Sequence, residues 1–102
     1  MKEITVEQLK ARIDSGEKIN LIDVREPAEY QEYNIGATLI PLGNIQAMAI
    51  DELEDLRDQE IIIHCRSGKR SQTACMLLEQ YGFTNTTNVI GGVLAWQEKF
   101  GS

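Results

Sequence analysis

Ile61-Ile62-Ile63-His64-Cys65-Arg66-Ser67-Gly68-Lys69-Arg70-Ser71 is a strand running into a loop. Three consecutive β-branched apolar residues predict a buried strand, with Cys65 where it should end. From Ser71 to Tyr81 the pattern changes period, and Ala74, Leu77, Leu78 and Tyr81 fall on one helical face. A short loop therefore joins strand to helix, with a thiol at its start and Arg66, Lys69 and Arg70 inside it. A strand that passes directly into a helix is half of a crossover unit, which places the next strand parallel to the first.

Such a loop favours a thiolate. Successive backbone N–H groups in a tight turn converge on one point and form an anion-binding nest. The following helix contributes the partial positive charge of its N-terminus. Three side-chain cations add to both, and the thiolate is the nucleophilic form of cysteine. The competing reading of Cys65 is a structural core thiol, but a core thiol has no use for three cations in the adjoining turn.

The rest of the chain alternates strands and helices. Glu3-Ile4 is a candidate edge strand, and Thr5 with Gln8 forms a capping-box pattern for a helix to about Asp14, with Val6, Leu9 and Ile13 inward. Asn20 to Val24 is apolar enough for a central parallel strand. Arg25 to Tyr30 opens a short helix with Pro27 in its first turn. Asn34 to Ala37 is a turn, and Thr38 to Pro41 is extended. Asn44 to about Leu56 is helical, in one or two pieces, with Ile45, Ala49, Leu53 and Leu56 on one face and Met48 and Ile50 widening the core. Gly82 closes the Ser71–Tyr81 helix, and Thr86 to Ile90 is the last strand. Gly91-Gly92 allows a sharp turn into a closing helix, Val93 to Phe100, anchored by Trp96 and Phe100. Asp23 and Arg25 then share the carboxyl rim of the sheet with Cys65, where ligands bind in such folds. An Asp–Arg pair at a strand end more often fixes a loop than touches substrate.

Composition narrows the function. The 102 residues fit one domain that buries roughly 60–70% of its unfolded surface. A hydrophobic content of 42% with 25% charged residues is globular rather than disordered. The net charge of -6 argues against nucleic acid and anionic membranes, and it makes the cationic loop a local anion site. Two cysteines without a CxxC pair, and a single histidine, His64, exclude a disulfide scaffold and a zinc site, so no metal or other cofactor is expected. The start of the chain has no apolar run of the signal-peptide kind, and no stretch is long enough to span a membrane. A monomer in a reducing cytoplasm is the expectation.

Cys65-Arg66-Ser67-Gly68-Lys69-Arg70 resembles the active-site loop of the rhodanese sulfurtransferases. Asp23-Val24-Arg25-Glu26 upstream and Gly91-Gly92-Val93-Leu94-Ala95-Trp96 downstream match the same family in the same order. The resemblance implies an α/β fold: a single rhodanese-like domain over residues 1–102, with a five-stranded, mainly parallel sheet and helices on both faces. One segment departs from the family. Asn34 stands where a histidine is usual, and no proline lies between Ile35 and Gly36. The expected activity is transfer of a sulfane sulfur from a small anionic donor such as thiosulfate. The sulfur passes through a persulfide on Cys65 to a thiol, cyanide or a protein sulfur carrier. Arg66, Ser67, Gly68, Lys69 and Arg70 are then the substrate-binding residues.

Rival chemistries are weaker. A cysteine phosphatase or arsenate reductase carries a loop one residue longer before its arginine; here only residues 66 to 69 separate Cys65 from Arg70. A shorter ring suits one sulfur atom better than a tetrahedral phosphate. A regulatory binding module would not need Cys65, whereas a sulfur relay would. A redox pair with Cys75 is disfavoured because Cys75 falls well inside the helix. His64 reads as a strand-end residue rather than a base.

Overall fold

A computed structural model describes residues 1–101. Five strands, β1 (Lys2–Ile4), β2 (Leu21–Asp23), β3 (Thr38–Leu39), β4 (Ile61–His64) and β5 (Thr86–Val89), form one sheet in the order β1-β5-β4-β2-β3. All four pairings are parallel. The isoleucine run is the central strand: β4 lies between β2 and β5, and each of its residues is buried. The pleat divides that run between two cores. Ile61 and Ile63 pack with Ile22, Ile45, Leu53, Ala74 and Leu78, under α3 (Leu42–Gln46) and α4 (Lys69–Gln80). Ile62 faces the other way, with Val6, Leu9 and Val89, under α1 (Val6–Asp14) and α5 (Gly92–Phe100). Full burial of each such side chain contributes about 1.5–3 kcal/mol, enough to fix the strand's place. The α/β architecture and five-stranded parallel sheet are those expected.

Local signals hold where one residue's chemistry decides. The Gln8 N–H donates to Thr5 Oγ1 at 3.1 Å and the Thr5 N–H to Gln8 Oε1 at 2.9 Å, which completes the capping box of α1. Pro27 opens α2 (Pro27–Glu32). Asn34 makes its own turn by accepting the Gly36 N–H at 3.0 Å on Oδ1 while its amide donates to the Tyr30 carbonyl. That turn replaces the family pattern at this point.

Four expectations are corrected. The helix after Cys65 begins at Lys69, not Ser71, because Gly68 at φ +104° turns the chain early; Lys69 and Arg70 therefore belong to the helix. The segment from Asn44 takes the expected two-piece form, α3 and a 3₁₀ turn over Asp51–Leu56, but Met48 at φ +59° stands between them. That left-handed residue reverses the chain, so Met48 and Ala49 are exposed rather than inward. Ile13 is exposed as well: α1 is about 13 Å long and outruns a three-residue strand of about 10 Å. Phe100 is also a surface residue, because its ring packs edge-on against the half-buried Trp96 at 4.9 Å and under the Lys10 ammonium of α1 rather than in the core.

Candidate active site

β4 delivers Cys65 to the carboxyl rim, where the chain leaves the sheet for α4. The direction of the loop's peptide groups is set by a third element. The Val93 and Leu94 N–H groups in the first turn of α5, which lack partners within their own helix, donate to the carbonyls of Cys65 and Arg66 at 2.9 and 3.0 Å. With the Arg66 carbonyl drawn toward α5, the Ser67 N–H of the same peptide is turned toward the thiol; the Gly68 N–H, past the next peptide, reaches Sγ at 3.1 Å, and the Ser71 N–H joins them from the first turn of α4. The close approach requires Gly92. A Cβ there would sit 2.7 Å from the Arg66 carbonyl oxygen and nearer still to that of Cys65, and its φ of +53° is itself left-handed. Gly92, expected to make a turn, therefore also seats the Cys65 loop.

Cys65 is 1% exposed. Burial opposes its ionisation, but hydrogen bonds from the Ser71 hydroxyl and from the N–H groups of Ser71, Gly68 and Ser67 outweigh it, so its pKa falls below that of an ordinary thiol. Cys75, buried within α4, shows the opposite. Burial dominates there and pushes its thiol up to about 11. Both cysteines are free.

Two residues outside the sequence-based assignment complete the thiol's surroundings. Ser71 Oγ lies 3.4 Å from Cys65 Sγ and hydrogen-bonds to Asn88 Oδ1, while Asn88 Nδ2 donates to the Gly68 carbonyl at 3.3 Å. A hydroxyl has one proton to give. With a neutral thiol, the proton path runs from Sγ to Ser71 Oγ and from Ser71 to Asn88. With a thiolate, the Ser71 proton turns to Sγ. Ser71 reads in the sequence as a helix start and Asn88 as a strand residue. The available signal was an amide in a strand, Thr86–Val89, that is wholly buried.

The three cations separate into two groups. Arg66 and Lys69 are exposed, and neither has a side-chain ion pair or hydrogen bond among the described residues. Arg70 instead grips Glu29 of α2 with both terminal nitrogens, at 2.7 and 2.9 Å. That fork holds the Glu29 carboxyl well below the usual range, at about 2. Ser67 turns its side chain to solvent and its N–H inward, and Gly68 contributes its N–H and the turn. Asp23, Arg25 and His64 share the rim as scaffold. Arg25 Nε and Nη2 clasp the Asp23 carboxylate at 2.8–3.1 Å, and Nη2 also donates to the Tyr33 carbonyl at 2.6 Å. Burial lowers the pKa of His64, whose Nε2 lies 3.7 Å from Asp23 Oδ2, so a neutral ring sits beneath the loop.

The chain matches the family described as Rhodanese-like domain over residues 5–99. It is 41% identical to the putative sulfurtransferase YtwF of Bacillus subtilis, over 95% of this chain and 91% of that protein. It is 40% identical to the putative sulfur carrier protein YrkF of the same organism, over 95% of this chain but about half, 51%, of that protein. A crystal structure of a rhodanese-like domain protein from Staphylococcus aureus superposes with a TM-score of 0.82 at 31% identity, covering 94% of this chain and 91% of the other. A match over nearly the whole length, on the fold and the loop already described, leads to one assignment: the chain belongs to the rhodanese-like domain family.

Proposed function

We infer that the protein is a sulfurtransferase in which Cys65 carries the sulfur. Relatives named sulfurtransferase and sulfur carrier support sulfur transfer in general. The observation that carries the finer reading is the convergence of the Ser67, Gly68 and Ser71 N–H groups on Cys65 Sγ. In the first step the Cys65 thiolate attacks the outer sulfur of thiosulfate. The new Sγ–S bond forms as the S–S bond of the donor breaks, and sulfite leaves with the electron pair. In the second step a nucleophilic acceptor (cyanide, a thiol or a protein sulfur carrier) takes the terminal sulfur, and the pair returns to Sγ. This is covalent catalysis of the ping-pong kind and calls for no cofactor. Arg66 and Lys69, exposed above the loop, draw in the anionic donor, while the inward N–H groups stabilise the terminal sulfur. Arg70 braces the loop against α2.

A phosphatase is disfavoured by the four-residue span from Cys65 to Arg70 and by the engagement of Arg70 with Glu29, which leaves no guanidinium closing the ring. The reaction requires Cys65 as a free thiol, and a reducing compartment such as the cytoplasm keeps it so. Incubation with thiosulfate is expected to add one sulfur to the intact mass, and cyanide to remove it as thiocyanate. Phosphatase turnover with no sulfur gain would replace this reading.

A further inference from the structure

Asn88 is a buried amide in β5, which lies between β1 and β4. Strands disfavour asparagine, and a buried amide needs partners, so its place calls for a tertiary reason. Its side chain makes two contacts. Nδ2 donates to the Gly68 carbonyl at 3.3 Å, and Oδ1 meets the Ser71 hydroxyl. The first contact fixes the second. A carbonyl only accepts, so the amide nitrogen must face Gly68 and the amide oxygen Ser71. Oδ1 only accepts as well, so the Ser71 proton lies on Asn88. In that arrangement Ser71 Oγ, 3.4 Å from Cys65 Sγ, offers the sulfur a lone pair and no proton. Asn88 and a thiolate therefore compete for the one proton of Ser71.

We propose that Asn88 is a positioning residue for sulfur transfer: it holds the Ser71 proton while Cys65 Sγ is neutral, as a thiol or as the inner sulfur of a persulfide, and yields it while Sγ is a thiolate. The persulfide half rests on the sulfur-transfer reading. On loading, the Sγ–S bond forms, the donor's S–S bond breaks, sulfite leaves with the electron pair, and the negative charge passes to the terminal sulfur. Sγ, now neutral, no longer draws the Ser71 proton, and the Ser71–Asn88 hydrogen bond re-forms. On discharge the pair returns to Sγ and the hydroxyl swings back to it. The proton stays on Ser71 throughout; only its direction changes. A bond present in the thiol and the loaded form but absent in the thiolate opposes ionisation and favours loading. The charged groups nearby lie outside this exchange. Arg70 of α4 is held by Glu29 of α2, Asp23 and Arg25 at the end of β2 hold each other, and Glu3 of β1, Arg66 and Lys69 are exposed. His64 of β4 is neutral.

The test is a double-mutant cycle read by the pH dependence of iodoacetamide alkylation. Asn88→Leu, close in size, and Asn88→Ala, which adds no bulk, both remove the acceptor. Each is expected to lower the midpoint of Cys65 alkylation and to raise the thiolate fraction below it about fivefold, the size of one neutral hydrogen bond. In a Ser71→Ala background the same substitutions are expected to leave the midpoint in place. The direction separates this role from packing, because loss of the Asn88–Gly68 contact alone would loosen the Gly68 N–H from Sγ and raise the midpoint. A second readout follows loading by intact mass at a fixed ratio of thiosulfate to sulfite, at a pH above all midpoints. There the loading equilibrium of both Asn88 variants is expected to fall about fivefold. A midpoint that stays or rises, or a fall that persists in the Ser71→Ala background, would overturn the proposal while leaving Cys65 as the sulfur carrier. An unchanged loading equilibrium would overturn its persulfide half. A wild type that loads from no sulfane donor would remove the sulfur-transfer reading and that half with it, and the alkylation cycle would still decide the thiol half.

Discussion

Two thiols are buried in this chain, Cys65 at the end of β4 and Cys75 within α4, and their acidities move in opposite directions. Desolvation is the largest influence on each and raises both. Cys65 is overtaken by four hydrogen-bond donors, the Ser71 hydroxyl and the N–H groups of Ser71, Gly68 and Ser67. Cys75 sits where the N–H groups of α4 are spent within the helix, and a hydrogen bond with Thr86 offsets only part of the cost of burial. The nest thus accounts for the acidity of Cys65 through neutral peptide dipoles and one hydroxyl. Among the described residues no side-chain cation hydrogen-bonds its sulfur; Arg70 reaches it through charge alone, with its guanidinium held by Glu29.

The sharpest break of this contrast is removal of each sulfur. Cys65→Ser is expected to lower transfer by more than about a thousandfold and to abolish sulfur loading, since a hydroxyl is poorly ionised and forms no persulfide. Cys75→Ser is expected to load normally. Intact mass after thiosulfate treatment decides, and sulfur carried on Cys75 would reverse the assignment.

Next in size is Gly92→Ala. The added methyl meets the carbonyls of Cys65 and Arg66 and turns the loop's peptides away from the thiol. A drop of about a hundredfold in kcat/KM is expected, the usual result of a displacement near 1 Å. Gly43→Ala, where a Cβ meets nothing within 4 Å, is the matched control and is expected to keep its rate. Equal rates in the two variants would mean that α5 does not set the loop.

A smaller effect is expected of Ser71→Ala, which removes one donor to the thiolate. Alkylation by iodoacetamide reports the thiolate fraction. Because the folded-state pKa of Cys65 is lowered, the rate at neutral pH should exceed that of a free cysteine and fall as the pH drops through that pKa. Ser71→Ala should move the midpoint upward and slow alkylation near pH 7 by about tenfold, one charge-assisted hydrogen bond. Cys75 should stay unreactive until the pH approaches 11. A wild-type midpoint at or above the free-thiol value would discard the nest as the source of reactivity.

The smallest effects divide the cations. Arg66→Ala and Lys69→Ala should each raise the KM for thiosulfate a few-fold and weaken its salt dependence, as expected of exposed charges. Glu29→Gln, which frees Arg70, should instead lower thermal stability slightly, by at most about 1 kcal/mol for a half-exposed pair, with little change in KM. A KM change confined to Glu29→Gln would make Arg70 the donor's contact.

Much of this follows from residue order alone. Three isoleucines in succession require a strand buried on both faces, and the change of period after the loop requires a helix, so the strand–loop–helix unit and the place of Cys65 in it are set by local chemistry. The capping box of α1 is legible for the same reason: both partners lie within one turn. Other features depend on residues far apart in the chain. The direction of the Cys65 and Arg66 carbonyls is set by Val93 and Leu94, the Ser71 hydroxyl is paired with Asn88, and Arg70 is held by Glu29. Each of these joins elements that meet only once the sheet has assembled. Periodicity reports which face a residue takes, whereas the partner on that face exists only in the folded chain; tertiary structure alone therefore decided which of the three loop cations is held in an ion pair.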